Sequence, residues 1–140
     1  MELTQCINYL LTTAQHRVFQ EMSARLEPFD VTPVQYGVMY CLWMKHKTKP
    51  KEIAAELQLE NSTISGVLER MEKKELIKRQ VSKEDRRFIE VTLTEKGKAL
   101  KDPILETVEE VNRDVLAIMS EKEQEELKDS LRALAEIGRA

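Results

Sequence analysis

The stretch PKEIAAELQLENSTISGVLERMEKKELIKRQVSKEDRRFIEVTLT runs from Pro50 to Thr94, and its reading decides the fold. Pro50 opens a short helix, Lys51 to Leu57, with Ile53, Ala54 and Leu57 inward, and Gln58-Leu59-Glu60 makes a turn. A second helix follows from Asn61 to about Lys74, with Ile64, Val67, Leu68 and Met71 on its inner face. Leu76–Val81 and Phe88–Leu93 then alternate apolar and polar residues as two strands, joined by the polar tip Ser82-Lys83-Glu84-Asp85-Arg86-Arg87. A helix pair followed by an arginine-tipped hairpin suits a DNA duplex, one helix entering the major groove and the hairpin reaching a neighbouring groove.

The chemistry of this segment supports that expectation. Asn61, Ser62, Thr63 and Ser65 cluster at a helix N-terminus, where free backbone N–H groups and the positive end of the dipole favour phosphate. Asn61 suits adenine, the hydroxyls suit several bases, and Arg70 suits guanine or a phosphate. Lys51 adds a cation on the first helix of the pair. Arg86 and Arg87, with Lys83 beside them, meet a minor groove or its phosphates. Asp85 makes little sense as a phosphate contact, but it makes sense as a brace that orients an arginine.

The rest of the chain reads as a support. Apolar residues Leu3, Ile7, Leu10, Ala14, Val18, Met22 and Leu26 recur at spacings of three and four, predicting a helix from Leu3 to Leu26 ended by Pro28. Thr32 as N-cap, Pro33 at the first helical position and Gln35 completing a capping box start the next helix. Its residues from Val34 to Met44 are apolar almost all round, which predicts a buried central rod. Beyond the hairpin, Thr94 caps a helix through Gly97 and Leu100, Pro103 should kink or restart it, and Ile104 to Ile118 continue an apolar stripe. Ser120 and Glu123 form a capping box for a last helix, with Leu127, Leu131, Leu134 and Ile137 expected inward. Long terminal helices with apolar stripes outside the reader suggest a two-fold dimer, which would match a palindromic DNA site.

Charge agrees with this division. The net charge is −3 over 140 residues, but residues 45–101 hold fifteen basic and ten acidic groups. Residues 1–44 hold two and four, and residues 102–140 hold five and eleven. The acidic tail should therefore face away from phosphates. No apolar run approaches the roughly 18 residues that span a bilayer, and the start lacks a signal-peptide pattern, so a cytoplasmic location without membrane attachment is expected. Cys6, Cys41, His16 and His46 have no zinc spacing, so no metal is expected. No cofactor is expected either. No phosphate loop or nucleophile–base motif is present, which argues against an enzyme.

Leu57-Gln58-Leu59-Glu60-Asn61-Ser62-Thr63-Ile64-Ser65, Leu68-Glu69-Arg70-Met71-Glu72-Lys73-Lys74-Glu75-Leu76-Ile77, Asp85-Arg86-Arg87 and Val91-Thr92-Leu93-Thr94-Glu95-Lys96-Gly97 together resemble the multiple antibiotic resistance regulator (MarR) family. The resemblance covers nearly the whole chain. It implies a mostly α fold with a small β-hairpin wing, a winged helix-turn-helix at 31–101 flanked by dimerisation helices at 1–30 and 102–140. It also implies a homodimeric transcription regulator, usually a repressor released by a small ligand or oxidant. Arg87 takes the position of the family's wing arginine and Asp85 that of its brace. Gly66 and Glu60 depart from the pattern, standing where a larger polar residue and a Ser or Thr cap are usual.

Leu26-Glu27-Pro28-Phe29, Thr32-Pro33, Gln35-Tyr36 and Leu42-Trp43 resemble the family's organic-hydroperoxide-sensing branch, in which a first-helix cysteine is oxidised. Counted back from Arg17, Cys6 falls one turn too early and Tyr9 takes the expected place, so Cys6 is read as a packing residue. The expected signal is instead a small aromatic or lipophilic effector in a pocket lined by Tyr9, His16, Phe19, Tyr36, Met39, Tyr40 and Trp43. The alternatives are a thiol-based peroxide sensor using Cys6, or a winged-helix module that binds protein.

Overall fold

The computed structural model describes residues 1–139, and Ala140, the last residue of the expected C-terminal dimerisation segment, lies outside the described residues. A single 3-10 turn at Leu3–Gln5 precedes α1 (Ile7–Leu26), and a second at Glu27–Phe29 leads to α2 (Pro33–Tyr40). Then come α3 (Pro50–Leu57), α4 (Asn61–Lys73), β1 (Ile77–Val81), β2 (Ile89–Leu93), α5 (Glu95–Ala99), α6 (Lys101–Leu116) and α7 (Glu121–Ala135). Helix pair, antiparallel hairpin and flanking helices thus follow in the expected order.

α2 is the rod of the core. The Thr32 hydroxyl accepts from the Gln35 N–H at 3.2 Å, and the Gln35 side chain accepts from the Thr32 N–H at 3.1 Å. Such a cap contributes about 1 kcal/mol. Beyond Tyr40 the helix widens into a π turn, Cys41–Lys45, closed by His46 in the left-handed region. Val38, Met39, Cys41, Leu42 and Trp43 are buried. They meet Ile53 and Ala54 of α3, Ile64, Val67, Leu68 and Met71 of α4, Val91 of β2 and Ile104 and Val108 of α6 in one core.

The base of the hairpin closes against α5. The Trp43 indole N–H donates to the Gly97 carbonyl at 3.0 Å. A Cβ at Gly97 would strike the Leu76 carbonyl, so this close approach of backbone requires glycine. β1 and β2 pair from Ile77↔Leu93 to Val81↔Ile89.

Three expectations are corrected. α1 begins at Ile7 rather than Leu3, because Cys6 has an extended backbone (φ −71°, ψ 124°) and stands at the N-cap. The break before α6 falls at Leu100, not at Pro103, which sits in the first turn, where a missing N–H costs nothing. Leu127, Leu131, Leu134 and Ile137 do not turn inward. All are exposed, and α7 buries no residue. The chain's own core ends at α6, and α7 carries its apolar stripe beyond it.

α1 packs along α6, with Arg25 donating to Asp114 at 2.6 Å. Yet α1 fully buries only Leu26, leaving Ile7, Leu10, Leu11, Val18 and Phe19 exposed. Among the described residues no helix is long and apolar enough to cross a membrane.

Candidate nucleic-acid interface

α4 presents its polar side to solvent because its apolar residues fall on one face. Ile64, Val67, Leu68 and Met71 are buried, while Asn61, Ser62, Thr63, Ser65 and Arg70 are exposed. Glu60 is the N-cap, with no side-chain bond to the helix. The short polar groups of Asn61, Ser62 and Thr63 therefore occupy the first turn beside uncapped amides, a setting that favours an anion. Gly66 leaves open the surface beneath Arg70. A Cβ there would come within 3.4 Å of the Arg70 guanidinium, which lies back along the helix over that glycine.

The wing is locked onto α4 from below. The Glu72 carboxylate accepts from the Arg79 backbone N–H at 3.0 Å and from its guanidinium at 3.0 and 3.3 Å. The Arg79 backbone bond, then the side-chain bonds, hold the Glu72 carboxyl below its ordinary range. Lys74, just past the end of α4, ties that helix to the start of α2, donating to the Asp30 carbonyl and the Gln35 side chain, each at 2.9 Å.

At the wing tip Asp85 and Arg87 form a bidentate pair. Arg87 Nε donates to Asp85 Oδ1 at 3.0 Å and Nη2 to Oδ2 at 2.8 Å. The Arg87 backbone N–H donates to the same carboxylate at 3.1 Å. These bonds push the Asp85 carboxyl below, and the Arg87 guanidinium above, their ordinary values. Arg87 nevertheless remains 83% exposed, so the brace fixes its direction without covering it. Ser82 is buried behind them, donating its N–H to the Phe88 carbonyl at 2.9 Å and thereby closing the loop. Lys83 and Arg86 are exposed on that loop, and Lys51 is exposed on the first turn of α3.

A helix with an open polar N-terminal face is thus fastened to a hairpin that carries a braced, exposed arginine. A match to the MarR family model covers residues 31–89, the helix pair and most of the wing. The chain is 30% identical over 102 residues to the organic hydroperoxide resistance transcriptional regulator of Bacillus subtilis, covering 73% of this chain and 69% of that protein. This chain belongs to the MarR family. Like the other members, it is a DNA-binding transcription regulator rather than an enzyme. A probable transcriptional regulator from Pseudomonas aeruginosa superposes with a TM-score of 0.88 at 28% identity, over 95% of this chain and 99% of that one. The S. aureus MepR–DNA complex does so with a TM-score of 0.83 at 27% identity, over 93% and 96%.

The residues expected to line one effector pocket are dispersed. Met39 is fully buried, and Trp43 is nearly so with its N–H bonded to Gly97, so both serve the core. Tyr36 and Tyr40 pack with ring centroids 6.1 Å apart, and burial pushes the Tyr36 phenol up. Tyr9 lies near the start of α1, while His16 is exposed beside Gln20 at 3.2 Å. Phe19 alone of the set borders a cavity of 290 Å³, with Ser23, Glu27, Val31, Pro33 and Lys74. Burial raises the Cys41 thiol and keeps it protonated.

Sequence reasoning missed the contact of Lys49 with Phe88, the bonds of Glu72 with Arg79 beneath the wing, and the bond of Lys74 with Gln35. Glu72 and Arg79 carried a legible signal, opposite charges on each side of a helix-to-strand turn.

Proposed function

We propose that the protein acts as a homodimer in the cytoplasm, binding a palindromic operator and repressing transcription until a small aromatic or lipophilic molecule releases it. Residues 1–30 and 102–140 hold two readers, each formed by residues 31–101. The apolar faces left open on α1 and α7 support the dimer, since contiguous exposed apolar surface marks an interaction site. Each reader places Asn61, Ser62, Thr63, Ser65 and Arg70 in the major groove, Lys51 on phosphate, and Lys83, Arg86 and Arg87 in the neighbouring minor groove. The observation that carries this reading is the Asp85–Arg87 pair, a cation held in a fixed direction yet open to solvent. The fold similarity to a MepR–DNA complex supports the same placement.

The cavity beside Phe19 lies where α1 meets the start of α2 and the end of α4, the junction between dimer helices and reader. An effector there acts only through different affinities for the two reader spacings, and DNA weakens its binding by the same factor. The test is capture of genomic DNA by the protein, followed by a screen of aromatic acids and lipophilic amines for release. Binding to a few discrete sites and release by one compound class are expected. Binding spread evenly over the genome would contradict the regulator.

One observation favours a second signal. Cys6 stands half-buried at the N-cap of α1, and a relative at 30% identity is named for organic hydroperoxide resistance. If cumene hydroperoxide releases the wild type from DNA but spares Cys6→Ser, oxidation is the signal and the effector reading falls.

A further inference from the structure

We propose that Lys49 and Phe88 belong to the DNA-binding surface. Phe88 is a positioning residue that seats the Lys49 ammonium beside the braced wing arginine, so the wing offers a two-cation clamp to the phosphate backbone. This rests on the reading of the wing as a DNA contact and adds two residues to it.

The geometry begins with the Phe88 ring. The Lys49 ammonium lies 4.4 Å from its centroid and the Arg87 guanidinium 5.8 Å from it. Both distances fall within the roughly 6 Å over which an aromatic face attracts a cation. Phe88 is half-exposed at the edge of the wing, a place where a large apolar ring gains little by burial. Between two cations the ring has another use, because its negative face offsets part of their mutual repulsion.

Lys49 is also held by its backbone. It is the N-cap of α3, extended as residues before proline tend to be, and its carbonyl accepts from Ile53 at 3.0 Å. The preceding Thr48 accepts from the Val91 N–H of β2 at 2.7 Å through its carbonyl. The Thr48 hydroxyl donates to the Glu90 carboxylate at 3.3 Å. The basic turn between α2 and α3 is therefore fastened to the wing strand, although 42 residues separate Thr48 from Glu90.

Charge pairing divides the lysines of this turn. Lys45 and Lys47 lie 3.4 and 3.8 Å from the Glu56 carboxylate. Among the described residues Lys49 has no ion-pair partner within 4.0 Å. Its charge helps to lower the Asp85 carboxyl, which Arg87 already engages. Two cations are gathered on one ring, and Lys49 is left without a carboxylate at ion-pair distance. A phosphodiester supplies the missing anion, and its oxygens accept from lysine and arginine alike.

The experiment measures binding to a mixed-sequence duplex of about 30 base pairs by fluorescence anisotropy over rising salt, where phosphate contacts set affinity and slope. Lys49→Ala, Phe88→Leu, Phe88→Tyr, the Lys49→Ala/Phe88→Leu double variant and Arg87→Ala are compared with wild type. Thermal melts establish that each is folded. Lys49→Ala should weaken binding several-fold and reduce the slope of log K against log salt by about one per reader. Phe88→Leu should also weaken binding, Phe88→Tyr should restore it, and Phe88→Leu should cost less when Lys49 is already absent. Wild-type affinity and slope for Lys49→Ala would overturn the proposal. So would a Phe88→Leu loss that is the same with and without Lys49. Arg87→Ala separates the two levels. If it alone loses binding, Lys49 and Phe88 stand outside the interface. If it too binds as wild type, the wing reading itself fails.

Discussion

The guanidinium of Arg87 meets the carboxylate of Asp85 through two bonds, 3.0 and 2.8 Å long, while keeping its outer surface open. An arginine that swings freely loses rotamer entropy when it binds. One already aimed loses less. On the proposed reading, Asp85 aids DNA binding although its charge opposes phosphate.

Arg87→Ala should weaken operator binding by about 1–3 kcal/mol without changing the melting temperature. Asp85→Ala should weaken it as well, by less. Titration of a labelled operator checks both, and tighter binding by Asp85→Ala would remove the brace.

The wing should tolerate neutral pH and loosen only in acid. Asp85 is depressed by its bonds to Arg87, and Glu72 by its bonds to the Arg79 backbone and guanidinium. A depressed carboxyl contributes fully above its unfolded value, about 3.9 for Asp and 4.3 for Glu, and loses that contribution as pH falls through the folded value. The Arg79 amide and the Arg87 side-chain N–H resonances should therefore hold steady from neutral pH downward until below the ordinary carboxylate range. A transition near pH 6 in those signals would contradict the pairing.

Gly66 should govern where Arg70 reaches. Gly66→Ala gains about 1 kcal/mol of helix propensity, so the variant should melt no lower than wild type. The added Cβ would touch the guanidinium of Arg70 at 3.4 Å, so the methyl becomes part of the surface on which that side chain rests. Selection from a randomised duplex library should then return a different base preference at one position per half-site, and an unchanged preference would free Arg70 from base reading.

Gly97→Ala should destabilise the reader by about 1–3 kcal/mol, the usual cost of overpacking. The new Cβ drives into the Leu76 carbonyl and disturbs the Trp43–Gly97 bond. Urea unfolding followed by Trp43 fluorescence measures it.

Leu10→Glu with Leu131→Glu should convert dimer to monomer. Both side chains are exposed in the single chain, so the subunit fold has little to lose. Sedimentation of the variant at micromolar concentration should give the monomer mass, and a surviving dimer would move the interface elsewhere.

Features set by neighbours in sequence were legible in advance. Thr32 and Gln35, Ser120 and Glu123, and Asp85 and Arg87 are two or three residues apart, and each makes the bonds its chemistry implies. The hairpin and the buried face of α4 followed from period alone. Pairs that meet only through the fold were not legible: Lys49 with Phe88, Lys74 with Gln35, Trp43 with Gly97. Nor does an amphipathic stripe say whose core it serves, which is why α7 was expected inward and lies open. Aromatic and sulfur side chains on a central helix read alike whether they line a cavity or fill it. Met39 and Trp43 fill it.

The most direct test of the central claim is selection of duplexes from a randomised library by the wild-type protein, followed by footprinting. Two readers on a two-fold axis should enrich a palindrome whose half-sites lie about one helical turn apart, roughly 10 base pairs or 34–36 Å between centres. Protection should appear in the major groove of each half-site and in the flanking minor groove. Enrichment of a single unpaired half-site, or no enrichment over the starting library, would contradict a dimeric operator-binding regulator.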